Sequence, residues 1–124
     1  CAALGGYTDL GGGGAAEVPH LEMQIGYAES LVQTAARLGA KFVRLFTAYE
    51  DEGQSPSVVW GRVVTALREI CDRAAAYDVT IAVQNHHDIG VCTDAMAELI
   101  EDIGRPNCRA RRRASRSESS LDVR

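Results

Sequence analysis

Two short segments of the sequence are apolar at most of their positions, and they restrict the possible folds more than any other feature. They are residues 41–47 (KFVRLFT), in which Arg44 interrupts the apolar residues, and residues 79–83 (VTIAV). A strand with apolar side chains on both of its faces is typical of a parallel sheet, because both faces of such a sheet are covered. The sequence therefore predicts a parallel β-sheet with helices packed on it.

Helices are predicted before, between and after these strands. Apolar residues recur at steps of three and four positions in three segments: residues 19–38, 58–77 and 93–103. Pro19 suits the first turn of the first helix, and Gly39 suits the position just past its end. Thr93 is predicted to cap the third helix, which residues 104–106 (GRP) would end.

The start of the chain adds one more strand to this series. Residues 1–10 form a short apolar stretch that runs into polar residues, and we interpret it as the end of a strand whose beginning is missing. The four glycines that follow, residues 11–14, predict a flexible loop. The resulting alternation of strands and helices predicts parallel strands joined by right-handed crossovers.

This alternation favours a barrel that is only partly present. A closed barrel of eight βα units needs about 250 residues, roughly twice the 124 residues of this chain. A doubly wound open sheet is the competing architecture, but neither a G-x-G-x-x-G motif nor a P-loop follows a strand here. We therefore expect an α/β fold, a partial (β/α)8 TIM barrel with about three βα units, as an incomplete fragment.

Charge and cysteine content exclude several classes of function. Residues 1–108 contain 7 Lys or Arg and 15 Asp or Glu, so this part lacks the basic surface with which proteins bind nucleic acid. No apolar run approaches the ~18 residues that span a bilayer, so we expect no membrane association. The four cysteines are widely spaced, without the dense pattern of a disulfide scaffold. These features predict a cytoplasmic protein and leave its oligomeric state open.

Three segments, in this order, carry a resemblance to a known family: residues 38–46 (LGAKFVRLF), 79–88 (VTIAVQNHHD) and 104–107 (GRPN). Over residues 1–108 the chain resembles the xylose isomerase-like TIM barrel superfamily. Its members include sugar and sugar-phosphate isomerases and epimerases, inosose dehydratases and endonuclease IV-type enzymes. The resemblance implies a small-molecule substrate, a sugar or sugar phosphate, and a divalent metal, Mn²⁺, Mg²⁺ or Zn²⁺.

The function that the resemblance implies is that of a sugar or sugar-phosphate isomerase or epimerase, which transfers a proton through an enediolate. A lyase of the inosose or dehydroshikimate dehydratase type is an alternative, because it begins with the same proton abstraction. Another alternative is an inactive truncated chain, since the family takes its metal ligands from several strands. An endonuclease IV-type role fits the acidic residues 1–108 less well.

The last residues depart from the family pattern. In the family, a strand that brings in an acidic metal ligand follows the RPN turn, whereas residues 109–124 are rich in Arg and Ser and show no apolar periodicity. We therefore predict no strand after Asn107. The segment is interpreted either as a natural basic tail, disordered by itself, or as the product of a shifted reading frame, which we favour.

Barrel active sites lie at the carboxyl ends of the strands, where this sequence has three groups of polar residues. The candidate catalytic residues are His86, which follows the strand at residues 79–83, and Glu50, the acid nearest the end of the strand at residues 41–47. The candidate substrate-binding residues are Arg44, Asn85, Tyr7 and His87. The candidate metal ligands are Gln84 and His86.

Some of these residues also have structural interpretations. The family often has Glu or His at the position of Gln84, and the neutral Gln is a weaker oxygen ligand. Arg44 could bind a substrate carboxylate or phosphate through bidentate hydrogen bonds. The alternative for Arg44, which we favour from the sequence, is a salt bridge inside the barrel to an acid on a neighbouring strand. The structural alternative for His86 and His87 is that one of them caps the following turn while the other faces solvent, and for His87 this alternative is as consistent with the sequence as a functional role.

Overall fold

Helices and strands alternate along the chain. The computed structural model describes residues 3–10, 19–47, 55–84 and 93–111. The strands are β1 (Ala3–Gly5), β2 (Phe42–Leu45), β3 (Thr80–Gln84) and β4 (Cys108–Arg111), and the helices are α1 (His20–Leu38), α2 (Pro56–Ala75) and α3 (Thr93–Ile103). All neighbouring strands pair in parallel, in the order β1-β2-β3-β4. The predicted alternation of helices and parallel strands is confirmed.

The two faces of the sheet differ in chemistry. The side chains that face the helices are buried in one apolar core, and they include Val43, Leu45, Ile81 and Val83. The strand register places one residue of each strand in a common row on the other face: Gly5, Arg44, Ala82 and Arg109. Successive side chains of a strand point to opposite faces, so this row faces away from the helices. We call this second face the inner face of the sheet.

The helices cover the sheet through apolar stripes. The buried stripe of α1 consists of Ala28, Val32 and Ala35, and that of α2 includes Val63, Leu67 and Ile70. Each fully buried Val, Leu or Ile of this kind stabilises the fold by about 1.5–3 kcal/mol relative to an exposed side chain. Gly39 ends α1 with a φ of 74°, a left-handed conformation that glycine adopts without strain. None of the helices in the described part of the chain could cross a membrane.

Helix α2 begins and ends two residues earlier than the periodicity predicts, because Pro56 begins its first turn. Ser55 precedes it in an extended conformation, with a ψ of 135°. The residue before a proline is pushed toward such a conformation, and proline itself suits the start of a helix. The apolar residues that indicated the helix lie further inside it, so their spacing could not locate this end.

Strand β4 shows that the prediction of no strand after Asn107 was wrong. Cys108 is buried and Ala110 packs against the core, whereas Arg109 between them is exposed on the inner face. The side chains thus alternate as in any strand, although the sequence CRAR contains no apolar run. Pairing starts at the turn itself, where the N–H of Ile81 donates to the carbonyl oxygen of Asn107 at 2.8 Å. Backbone pairing with β3 therefore defines this strand.

Residues 112–124 and the glycines at residues 11–14 lie outside the described residues. The two interpretations of the basic segment, a natural tail or a shifted reading frame, therefore stay predictions for the residues beyond β4.

Candidate functional site

Three of the predicted site residues lie in the described part of the chain, at or near the carboxyl ends of neighbouring strands. Arg44 lies in β2, Gln84 ends β3, and Tyr7 follows the end of β1 by two residues. Arg44 is in register with Ala82, so Gln84, two positions further along β3, lies on the same inner face. The ring of Tyr7 also lies on this face, beside Arg44. The topology thus brings these three side chains to one end of one face.

Hydrogen bonds from Thr8 hold the segment after β1 beside the end of β2. The buried hydroxyl of Thr8 donates to the carbonyl oxygen of Phe46 at 2.5 Å and accepts from the N–H of Phe46 at 3.2 Å. The N–H of Leu10 donates to the carbonyl oxygen of Thr47 at 2.7 Å. As a result the rings of Tyr7 and Phe46 stack, with centroids 5.1 Å apart and an angle of 25° between their planes.

The guanidinium group of Arg44 lies against both of these rings. Its central carbon is 5.1 Å from the ring centroid of Phe46 and 5.9 Å from that of Tyr7, distances that allow cation–π attraction. The group also lies over Gly5, where a Cβ atom would be 2.7 Å from Nη2 of Arg44. Only a residue without a side chain therefore leaves the guanidinium where it is.

Arg44 has no ion-pair partner within the described ranges. No carboxylate there lies within salt-bridge distance of it, and its Nε is buried without a hydrogen-bond partner. The salt bridge that we favoured from the sequence therefore has no partner among these residues. A buried N–H donor that lacks an acceptor costs about 1–3 kcal/mol, which an anionic ligand could recover.

Gln84 presents a second unsatisfied polar atom on the inner face. Its side chain is half-buried, and Oε1 is buried without a hydrogen-bond partner. This oxygen is a suitable acceptor for a substrate hydroxyl and a possible donor to a hard cation. One neutral oxygen does not make a metal site, and the described residues contain no group of three or more His, Cys, Asp or Glu that could hold a metal ion. The metal ligands predicted from the sequence, Gln84 and His86, therefore stay a prediction.

The remaining predicted site residues lie outside the described residues: Glu50, Asn85, His86 and His87. Sequence reasoning missed two contributors to the inner face, Gly5 and Phe46. Their signal was present in principle, because Phe46 stands two residues after Arg44 and therefore on the same side of the strand. Gly5 could be recognised only from the register of β1 against β2.

Parallel strands joined by helices, with polar side chains at the carboxyl ends of the strands, are the arrangement found in the class of β/α barrels. Within this class a family model described as the xylose isomerase-like TIM barrel matches residues 1–110. The chain belongs to this family, and the predicted partial barrel of this type is confirmed. The match also extends into β4, two residues past the resemblance that the sequence indicated.

Solved structures with the same fold include enzymes of more than one reaction type. The probable 3-DHS dehydratase AsbF, involved in petrobactin synthesis in Bacillus anthracis, is 17% identical with a TM-score of 0.73, and the match covers 90% of this chain and 39% of that one. L-ribulose 3-epimerase is 19% identical with a TM-score of 0.73, covering 87% and 39%. An IolI protein with a bound zinc atom is 22% identical with a TM-score of 0.68, covering 86% and 38%.

The chain therefore spans about two fifths of the length of these structures. At these identities the likeness establishes the fold, and the solved structures that share this fold include sugar epimerases and a dehydratase. No curated protein sequence matches the chain significantly.

Proposed function

We propose that the chain is part of a barrel enzyme that isomerises or epimerises a sugar or sugar phosphate. The observation that carries this proposal is the convergence of Tyr7, Arg44 and Gln84 on the inner face, at the strand ends where barrel enzymes bind substrates. Membership of a family with several sugar 3-epimerase structures supports it.

The chemistry of such a reaction is proton transfer at a carbon next to a carbonyl group. We assign the acid and base roles to His86 and Glu50, and the binding of substrate oxygens to Asn85 and His87. A divalent ion such as Mn²⁺, Mg²⁺ or Zn²⁺, with Gln84 and His86 among its ligands, would supply polarisation of the carbonyl group.

The described residues suit the binding part of this task. The aromatic ring of Tyr7, 68% exposed on the inner face, offers an apolar surface for the C–H groups of a sugar ring. The free oxygen of Gln84 can accept a hydrogen bond from a sugar hydroxyl, and the guanidinium of Arg44 can donate to a carbonyl, carboxylate or phosphate oxygen. These contacts orient a substrate without performing the proton transfer.

Dehydration by the same fold is the second candidate, and the likeness to the dehydratase AsbF favours it. A lyase abstracts the same kind of proton, then expels a hydroxide from the adjacent carbon. An inactive chain is the third possibility, because the match covers only about two fifths of each related structure. We also propose a cytoplasmic location, since the two cysteines in the described ranges, Cys71 and Cys108, are free thiols.

The test is hydrogen exchange in D₂O. The 124-residue chain is incubated with Mn²⁺ and with ketoses, ketose phosphates and inososes, and proton NMR follows the loss of the C–H signal next to the carbonyl group. Isomerases, epimerases and lyases all exchange or remove this proton, while absorbance of a conjugated carbonyl product identifies dehydration alone. A cooperatively folded chain that exchanges no proton in any of these substrates would show that the proposed function is wrong for this chain.

A further inference from the structure

The charged residues of the four strands are all arginines. The four strands contain Arg44 and Arg109 in the common row defined by the register, and no Asp or Glu at any position. Arg109 is exposed on this face, and Arg44 is half-buried.

This charge distribution contrasts with the rest of the molecule. Residues 1–108 carry about twice as many acidic as basic side chains, yet every charged residue of the four strands is an arginine. On the outer side of the sheet, two arginines are paired with carboxylates: Arg73 binds Glu29 and Glu69, and Arg105 binds Asp72. A partly buried guanidinium group that has no carboxylate partner destabilises the fold unless an anion binds to it.

The geometry around Arg44 holds its guanidinium in one place. The guanidinium lies against the rings of Tyr7 and Phe46. It also lies over Gly5, which has no side chain to displace it. The neighbouring position in the row on β3 is Ala82, a small residue that separates Arg44 from Arg109. Two strand spacings, about 10 Å, lie between the backbones of the two arginines, a distance that two long side chains can bridge through one anion.

We propose that the inner face binds an anionic group, a phosphate or a carboxylate, with Arg44 as its main ligand and Arg109 as a second cation. The proposal rests on the proposed function in one respect, because it takes this group to be part of the sugar substrate. The substrate is then a sugar phosphate or a sugar acid, and a neutral ketose binds weakly. The Nε of Arg44 is buried without a hydrogen-bond partner, and a guanidinium group can bind the oxygens of a phosphate or carboxylate through two parallel N–H groups.

The binding test uses the 124-residue chain and three probes: inorganic phosphate, acetate and a neutral ketose. Isothermal titration calorimetry at low ionic strength measures the affinities, and ¹H–¹⁵N NMR locates the perturbed residues. We expect phosphate or acetate to bind with shifts at Tyr7, Arg44 and Ala82, and the preferred anion distinguishes a sugar phosphate from a sugar acid. Arg44→Met should weaken this binding roughly tenfold to hundredfold, which is the worth of hydrogen bonds to a charged group.

Two variants separate a specific site from general charge attraction. Arg37→Met removes the same charge from the exposed end of α1, and it should leave the affinity unchanged. Gly5→Ala keeps every charge but places a methyl group 2.7 Å from Nη2 of Arg44, and the displaced guanidinium should bind the anion less tightly. Gly26→Ala is its matched control, because a Cβ at Gly26 meets no atom within 4 Å. Circular dichroism establishes that each variant is folded.

Equal weakening by Arg37→Met and Arg44→Met would overturn the proposal, and so would unchanged binding in Arg44→Met. Failure of this inference is distinguishable from failure of the proposed function. If an anion binds at Arg44 but no sugar exchanges its proton, the anion site is supported and the proposed isomerase function is wrong. If a neutral ketose exchanges its proton and neither phosphate nor acetate inhibits the exchange, the isomerase function is supported and the anion site is wrong.

Discussion

The side chain of Asn107 joins three elements at the start of β4, and its replacement should destabilise the fold measurably. Its Nδ2 donates to the carbonyl oxygen of Cys71 in α2 at 2.8 Å and to that of Val79, just before β3, at 3.2 Å. One hydrogen bond of this kind stabilises a protein by about 0.5–1.5 kcal/mol net. Asn107→Ala removes two of them, so we expect a loss of about 1–3 kcal/mol in the free energy of unfolding.

Asn107→Asp provides the sharper test, because it preserves the size of the side chain. A carboxylate only accepts hydrogen bonds, so it would face two carbonyl oxygens that also only accept. We expect this variant to be less stable than Asn107→Ala at pH 7. Lowering the pH to about 4 should reduce the difference, since a protonated carboxyl group can donate.

Urea unfolding followed by circular dichroism measures both variants. Gln33→Ala serves as the control, because its side chain also bonds across elements, to the hydroxyl of Tyr77 at 3.2 Å, but in an exposed place. The control should cost less than about 0.5 kcal/mol. If Asn107→Asp is as stable as the unchanged chain at pH 7, the reasoning about the donor role of this amide is wrong.

Three further predictions concern other parts of the fold. The hydrogen bond from Arg105 lowers the pKa of Asp72. The stability that this pair adds is therefore present above the usual carboxyl pKa and is lost as the pH falls through the lowered pKa. In Arg105→Gln, NMR titration should show a normal pKa for Asp72. The hydrogen bond with the neighbouring thiol on β4, together with burial, raises the pKa of the Cys71 thiol. In the folded chain Cys71 should therefore resist an aromatic disulfide reagent at pH 8 and react after urea is added, and rapid labelling of Cys71 itself without urea, located by mass spectrometry among the four cysteines, would contradict this. Gly39→Ala should lower the free energy of unfolding by about 1–2 kcal/mol, because residue 39 has a φ of 74°. A Cβ at this position meets no atom within 4 Å, so the backbone conformation alone causes the loss. An unchanged unfolding midpoint would exclude the left-handed conformation.

Much of the fold could be predicted because each signal was local. Most residues of strands β2 and β3 are apolar, and α1 ends just before the glycine that the sequence indicated. Strand β4 could not be predicted in this way. Its inner face carries Arg109, and its outer residues, Cys108 and Ala110, are too small and few to form an apolar run. It is a strand because β3 offers an edge, which is a property of the assembled sheet.

The same limit applies to the candidate site. The carboxyl ends of strands can be recognised from the sequence, which is why Tyr7 and Gln84 are candidate site residues, and Arg44 is a candidate because it is charged within an apolar strand. The partner of Arg44 could not be inferred, because it depends on which side chains share a row across the sheet. A salt bridge was the reasonable expectation for a charged residue in an apolar strand, but the register places glycine and alanine beside Arg44.

The simple order of the strands also has a consequence for how the sheet forms. Each strand pairs with the next one along the chain, and the residues of the common row are separated by 39, 38 and 27 positions. Because the entropy of closing a loop grows only with the logarithm of its length, these three closures differ by about 0.3 kcal/mol. No pairing is therefore favoured by chain length. The sheet can grow in the direction of synthesis, each new helix and strand adding to an edge that the previous unit has already formed.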